Sequence, residues 1–130
     1  MGQGHRDLKV YQLAYRLALE IFEESKGFPM EERYSLTDQI RRSSRSVATN
    51  IAEGFRKRRY PHMFIAKLAD ADSEAAETQV WLDFAHDCGY LRLNRQQAMR
   101  AGYEELGKML GGMMASPEKF KLHQLAGSPQ

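Results

Sequence analysis

Arg41, Arg42 and Arg45, followed by the run Arg56, Lys57, Arg58 and Arg59, concentrate cations in one short segment, QIRRSSRSVATNIAEGFRKRR, from Gln39 to Arg59. The formal charge of the whole chain is only +2, so acid elsewhere must balance this excess. An uneven distribution of that kind favours a polyanionic partner, and nucleic acid is the usual one. Guanidinium suits the task because its planar fork meets phosphate oxygens two at a time. Arginines four residues apart on a helix also repel one another, and Glu does not alternate with them to offset it. A solvated helix face is the simpler explanation of surface charge; it accounts poorly for arginines without interleaved acids. Beside the run, Tyr60 and His62 supply rings able to stack on unpaired bases.

These residues need a helix to position them, and helical periodicity runs through the whole chain with no segment alternating like a strand. The first helix is expected from Asp7, a good N-cap, to about Lys26, where Gly27 and Pro29 stop it. The second runs from about Leu36, with Ser35 or Thr37 as its cap, to between Gly54 and Lys57. Pro61 opens the third, which continues to Cys88 and ends at Gly89. Asn94 followed by Gln97 has the form of a capping box for the fourth, which reaches about Ala115. From Ser116 the periodicity fades into Gly and Pro, as in a loose tail. Short connections between long helices favour antiparallel neighbours, so the expected fold is all-α, an antiparallel up-down four-helix bundle over residues 1–115 with a tail over 116–130.

A turn of about 100° per residue sorts the second helix into three faces. Leu36, Ile40, Val47 and Ile51 form a core stripe, and Arg41, Arg45 and Arg56 lie nearly opposite. Between them lie Gln39, Arg42, Ser46, Asn50 and Glu53, read as a hydrogen-bonded polar layer between helices or subunits, with Arg42 as a partner for the Asn50 and Glu53 pair. Gly54 then either ends the helix or admits a neighbouring backbone. On the first helix, Val10, Ala14, Leu17 and Ile21 share one face while Tyr11, Tyr15, Leu19 and Phe22 share the next. That apolar arc is wider than a surface helix in a monomer needs. Tyrosines covering the bundle edge explain it; so does a subunit interface at Tyr11, Tyr15 and Phe22, where aromatic side chains are enriched. Acid gathers on the third helix at Asp70, Asp72, Glu74, Glu77, Asp83 and Asp87, either as a solvated face or as a match for a basic surface on another subunit.

No active site is legible. Asp83 and His86 imitate one half of a di-metal motif without a second copy, and His5, His62 and His123 are scattered, so no metal or other cofactor is expected. The chain has no phosphate-cradling glycine loop and no nucleophile elbow. Cys88 falls at a helix C-terminus, which disfavours a thiolate, and reads as a small core residue. A lone cysteine forms no internal disulfide, which favours a reducing, cytoplasmic setting. At 130 residues and 42% hydrophobic composition the chain is one domain with a core of its own. No apolar run is long enough to span a bilayer. No small-molecule substrate is evident.

In DLKVYQLAYRLALEIF (Asp7 to Phe22), FPMEERYSLTDQIRRSSRSV (Phe28 to Val47), NIAEG (Asn50 to Gly54), the Ser73/Glu77 pair and AHDCGYL (Ala85 to Leu91), the chain resembles the family of proteins encoded in intervening sequences of bacterial 23S ribosomal RNA genes. The resemblance implies an antiparallel four-helix bundle, a ring-like homopentamer and no enzymatic activity. A related branch, the accessory proteins of diversity-generating retroelements, implies nucleic acid and a reverse transcriptase as partners. Val47, Ala48 and Thr49 stand where the family often has a proline, and Asp72 where a small Gly commonly precedes the serine. The resulting expectation is a non-enzymatic homo-oligomer binding RNA in preference to DNA through Arg41, Arg45 and Arg56 to Arg59. The alternative is an interaction scaffold whose basic face docks an acidic protein or another subunit.

Overall fold

The computed structural model describes residues 4–121. Among them are four long helices and no strand: α1 (Lys9–Ser25), α2 (Leu36–Arg56), α3 (Pro61–Asp87) and α4 (Leu93–Ala115). Single turns of 3-10 helix at His5–Asp7, Met30–Glu32 and Pro117–Phe120 precede α1, join α1 to α2 and follow α4.

The apolar stripes read from the sequence become the core. Val10, Ala14, Leu17 and Ile21 of α1 and Leu36, Ile40, Val47 and Ile51 of α2 are buried, and Phe64, Leu68, Leu82, Met99, Tyr103 and Leu106 complete the cluster. Neighbouring helices run in opposite senses. Early in α2, Ser43 meets Thr78 late in α3, while Gly54 near the end of α2 lies against Phe64, Lys67 and Leu68 at the start of α3. Likewise Gln96 at the start of α4 bonds Asp83 near the end of α3, and Gly107 further along α4 faces Asp72. Arg95 at the start of α4 reaches Glu20 and Glu24 near the end of α1, which closes the four helices on themselves.

The helix boundaries depart from expectation where burial overrides capping. Asp7 does not cap α1; its carboxylate accepts from the Gly4 N–H at 3.3 Å within the preceding turn. Half-buried Leu8, packed on the core, sets the start of α1 instead. At α2 neither Ser35 nor Thr37 caps through its side chain. The Glu32 carboxylate accepts from the Ser35 hydroxyl at 2.6 Å and the Leu36 N–H at 3.3 Å, an acid placed at the positive end of the helix. Asn94 and Gln97 make no capping box; α4 begins a residue earlier, at Leu93, shortly after the buried Leu91 and exposed Arg92. Pro61 and Gly89 act as expected. Gly89 has φ +84°, and the Tyr90 N–H returns to the Ala85 carbonyl at 2.8 Å, closing α3.

Helix α2 is continuous through Val47, Ala48 and Thr49 and past Gly54, so Gly54 does not end it. A Cβ there would lie 3.0 Å from Cβ of Lys67, and its absence lets α3 approach. Cys88 is exposed at the C-cap of α3 rather than in the core, because the chain reverses there before Leu91 is buried. After α4 the Phe120 ring packs against Phe64 with centroids 5.7 Å apart, so the segment from Ser116 begins against the bundle. The remainder of the expected tail, 122–130, lies outside the described residues.

Candidate nucleic-acid interface

The N-terminal half of α2 and the loop before it form a concave face of about 690 Å³ lined by Arg33, Tyr34, Arg41, Arg42 and Arg45, with Thr37, Asp38, Ser46 and Thr49 between them. Asp38 is the one acidic side chain in that lining. Helical spacing alone brings Arg41 and Arg45 together, about 6 Å apart along the axis.

What holds them is the neighbouring helix. The Phe22 ring of α1 lies under both guanidinium groups, 4.7 Å from Arg41 and 5.8 Å from Arg45. Arg41 Nε donates to the hydroxyl of buried Ser25 at 2.7 Å. Arginine stacked on a ring and tied at Nε keeps its outer N–H edge, the one suited to an oxyanion, in a fixed direction. Arg33 also stacks, its guanidinium 5.4 Å from the Tyr34 ring, and Tyr34 is 82% exposed.

Arg42 shares the face but is neutralised. It pairs with Glu77 at 2.6 Å and Glu74 at 3.2 Å on α3, and Glu77 also accepts from Trp81 Nε1 at 3.0 Å. The Arg42 and Trp81 donors hold the Glu77 carboxyl below the usual carboxylate range. Part of the acidic face of α3 therefore answers arginine within the same chain.

The second cationic cluster divides. Arg56 and Arg59 are exposed and Lys57 is half-buried. Arg58 departs from the expected cationic face: only 7% exposed, it stacks 3.8 Å from the Phe55 centroid and donates to the Phe55 carbonyl at 2.7 Å. Its position past the end of α2 lets the long side chain fold back over the terminal carbonyls, which attract a cation. Burial lowers the guanidinium pKa, and nearby Arg56 lowers it further.

The flank of α2 read as one polar layer is in fact several separate contacts. Asn50 donates to the Ser46 carbonyl at 2.9 Å and to its hydroxyl at 3.1 Å, within its own helix. Glu53 pairs with Lys67 at 2.7 Å, not with Arg42. Gln39 lies half-buried further along the same flank. The buried polar contact between helices is formed instead by the Ser43 and Thr78 hydroxyls, 2.8 Å apart. Ser43 and Thr78 lie on the facing sides of α2 and α3, whereas Asn50 lies on the flank and turns back to its own helix.

A second, apolar groove of about 580 Å³ runs between α1 and α2, lined by Tyr11, Tyr15, Ala18, Leu19, Phe22, Ala48 and Ala52, with His5, Arg45 and Thr49 at its edges. Tyr15 and Leu19 are each 52% exposed. Arg33 and Tyr34 are the residues of the basic face that charge clustering missed; the signal was a ring beside an arginine immediately before a helix. Among the described residues no three His, Cys, Asp or Glu side chains converge as metal ligands, and no helix is long and apolar enough to cross a membrane.

The described residues thus form an all-helical bundle with an arginine-lined concavity on α2 and an apolar groove between α1 and α2. The chain belongs to the family of 23S rRNA-intervening sequence proteins, whose model matches residues 6–112. It is similar to the crystal structure of a protein of unknown function from the S23 ribosomal protein family of Bacteroides thetaiotaomicron VPI-5482, with a TM-score of 0.73 and 26% identity. That alignment covers 81% of this chain and 97% of the other. A search of curated proteins finds no match.

Proposed function

We propose that this protein is a non-enzymatic, homo-oligomeric helical bundle that binds nucleic acid, RNA in preference to DNA, through the concave arginine face of α2. The observation that carries the reading is the setting of Arg41, stacked on Phe22 and tied at Nε to Ser25, with no ion pair to a carboxylate among the described residues. Fixing an arginine before the ligand arrives lowers the ordering cost of binding. Arg33 and Arg45 widen the site, and the exposed Arg56 and Arg59 with Lys57 extend it toward the end of α2. Arg58 is omitted because its charge closes that helix.

Glu32, Glu77 and Tyr90, whose pKa values are displaced, are engaged in contacts between elements, and the Tyr103 phenol, pushed up by burial, lies in the core, which supports a binding role over catalysis. Filter binding of a structured RNA and an unstructured strand at low salt tests the proposal. Retention that falls steeply with salt is expected; no retention of either refutes it.

Self-association is the second part of the reading. The apolar groove at Tyr11, Tyr15 and Phe22 is matched elsewhere by exposed Val80, Phe84 and Leu93 on α3 and α4. Two unlike apolar patches on one chain suit head-to-tail contacts, which close into rings, in keeping with the pentamer that the family resemblance implies. Light scattering should give a multiple of the 14.9 kDa chain mass, and smaller species for Tyr11→Ser/Tyr15→Ser. A monomer for the unaltered protein would refute the assembly.

A further inference from the structure

Resting on the nucleic-acid reading, we propose that the concave face of α2 selects unpaired nucleotides over duplex, with Tyr34 as the platform on which a base stacks and Arg33, Arg41 and Arg45 holding the phosphates beside it. Among the described residues Tyr34 is the most exposed of the large hydrophobic side chains, at 82%, yet it lines the same concavity as the arginines. Tyr34 is not among the side chains packed on the core cluster, and its other side borders a groove lined by Leu36, Trp81 and Phe84. The Arg33 guanidinium lies 5.4 Å from the ring, which leaves a cation, a ring and a set of phosphate donors within one groove.

Stacking discriminates by strandedness. A base in a duplex is already stacked on both faces and can reach a surface ring only by leaving the helix, whereas an unpaired base offers its face without that cost. The concavity adds a second filter. Arg41 and Arg45 lie in the groove with their guanidinium groups over Phe22, so a flexible backbone can enter and follow them more readily than a rigid double helix. Asp38 also lines the face; its carboxylate opposes close packing of phosphates there and leaves room for the neutral edge of a base. Alone, the arginines would bind any polyanion; the ring beside them provides the preference.

Fluorescence anisotropy on the full chain decides it. The probes are a labelled oligouridylate of about twelve nucleotides and a labelled RNA duplex of the same length, both at about 50 mM salt. The wild-type protein should bind the oligouridylate more tightly than the duplex. Tyr34→Ala should weaken the single strand by roughly 5- to 100-fold with duplex binding unchanged, while Tyr34→Phe keeps the wild-type preference. The salt slope of Tyr34→Ala should match wild type, because a ring releases no counterions, whereas Arg41→Ala should lower it by about 0.7. Tyr34 is too exposed for its removal to unfold the bundle, and circular dichroism checks this. Equal affinity for both probes, or Tyr34→Ala binding oligouridylate like wild type, overturns the strand preference and leaves the nucleic-acid reading standing. No binding of either probe overturns both.

Discussion

Arg41 and Arg58 each stack on a phenylalanine, at 4.7 and 3.8 Å, and their surroundings give them opposite roles. Arg58 is buried over the last carbonyls of α2, so Arg58→Ala should lower stability by about 1–3 kcal/mol, read from urea unfolding, with little change in RNA affinity. Glu32 sets a pH dependence. Its hydrogen bonds from Ser35, Tyr90 and the Leu36 N–H depress its pKa. The same contact, the phenol donating to the carboxylate at 3.0 Å, pushes Tyr90 up to about 12. A depressed carboxylate contributes stability that is present above its unfolded value of about 4.3 and is lost as pH falls through the lower folded value. Glu32→Gln should therefore be less stable than wild type at pH 7, and the gap should close below about pH 4; a gap independent of pH would contradict this role. Tyr103 is buried beside Thr78 but its hydroxyl has no partner of good geometry. Tyr103→Phe should accordingly melt at the same temperature or higher, since an unsatisfied buried hydroxyl is a cost.

Helix α2 governs the molecule at the next scale, because it contributes to the core, to the α3 contact and to both grooves. Its contact with α3 closes at Gly54, where Cβ of Lys67 and the Phe64 carbonyl leave no room for a branched side chain. Gly54→Val should cost about 1–3 kcal/mol through overpacking, visible as a lower urea midpoint at unchanged slope. Apolar spacing made the core stripes of α1 and α2 legible, since a period of 3.6 residues survives in any helix that buries one face. The helix ends were harder to read. Asp7 and Asn94 have good cap chemistry, but the burial of Leu8 and Leu91 set where α1 and α4 enter the bundle. Side-chain reach was illegible for a different reason. Whether an arginine near a helix end points outward, as Arg59 does, or folds back, as Arg58 does, depends on Phe55 and its terminal carbonyl. A wheel drawn on one helix likewise cannot show that Glu53 meets Lys67 or that Arg42 meets Glu77. The expected polar layer dissolved because its members face different neighbours.

Charge at the scale of the whole molecule is nearly balanced at +2, yet the balance is local rather than uniform. Acids on α1, α2 and α3 answer Arg95, Lys67 and Arg42 respectively, whereas Arg33, Arg41 and Arg45 share one concavity with Asp38. This separation underlies the proposed binding role, and it would equally serve a scaffold whose arginines bind another subunit. The two differ in what happens when Arg41 and Arg45 lose their charge together. The most direct measurement is RNA affinity across a salt series for wild type and Arg41→Ala/Arg45→Ala, with light scattering on both. The binding account predicts an unchanged assembly and a salt slope shallower by about 1.4 for a single strand, two phosphate contacts fewer. An unchanged slope, or an assembly that falls apart when the two charges are removed, would contradict it.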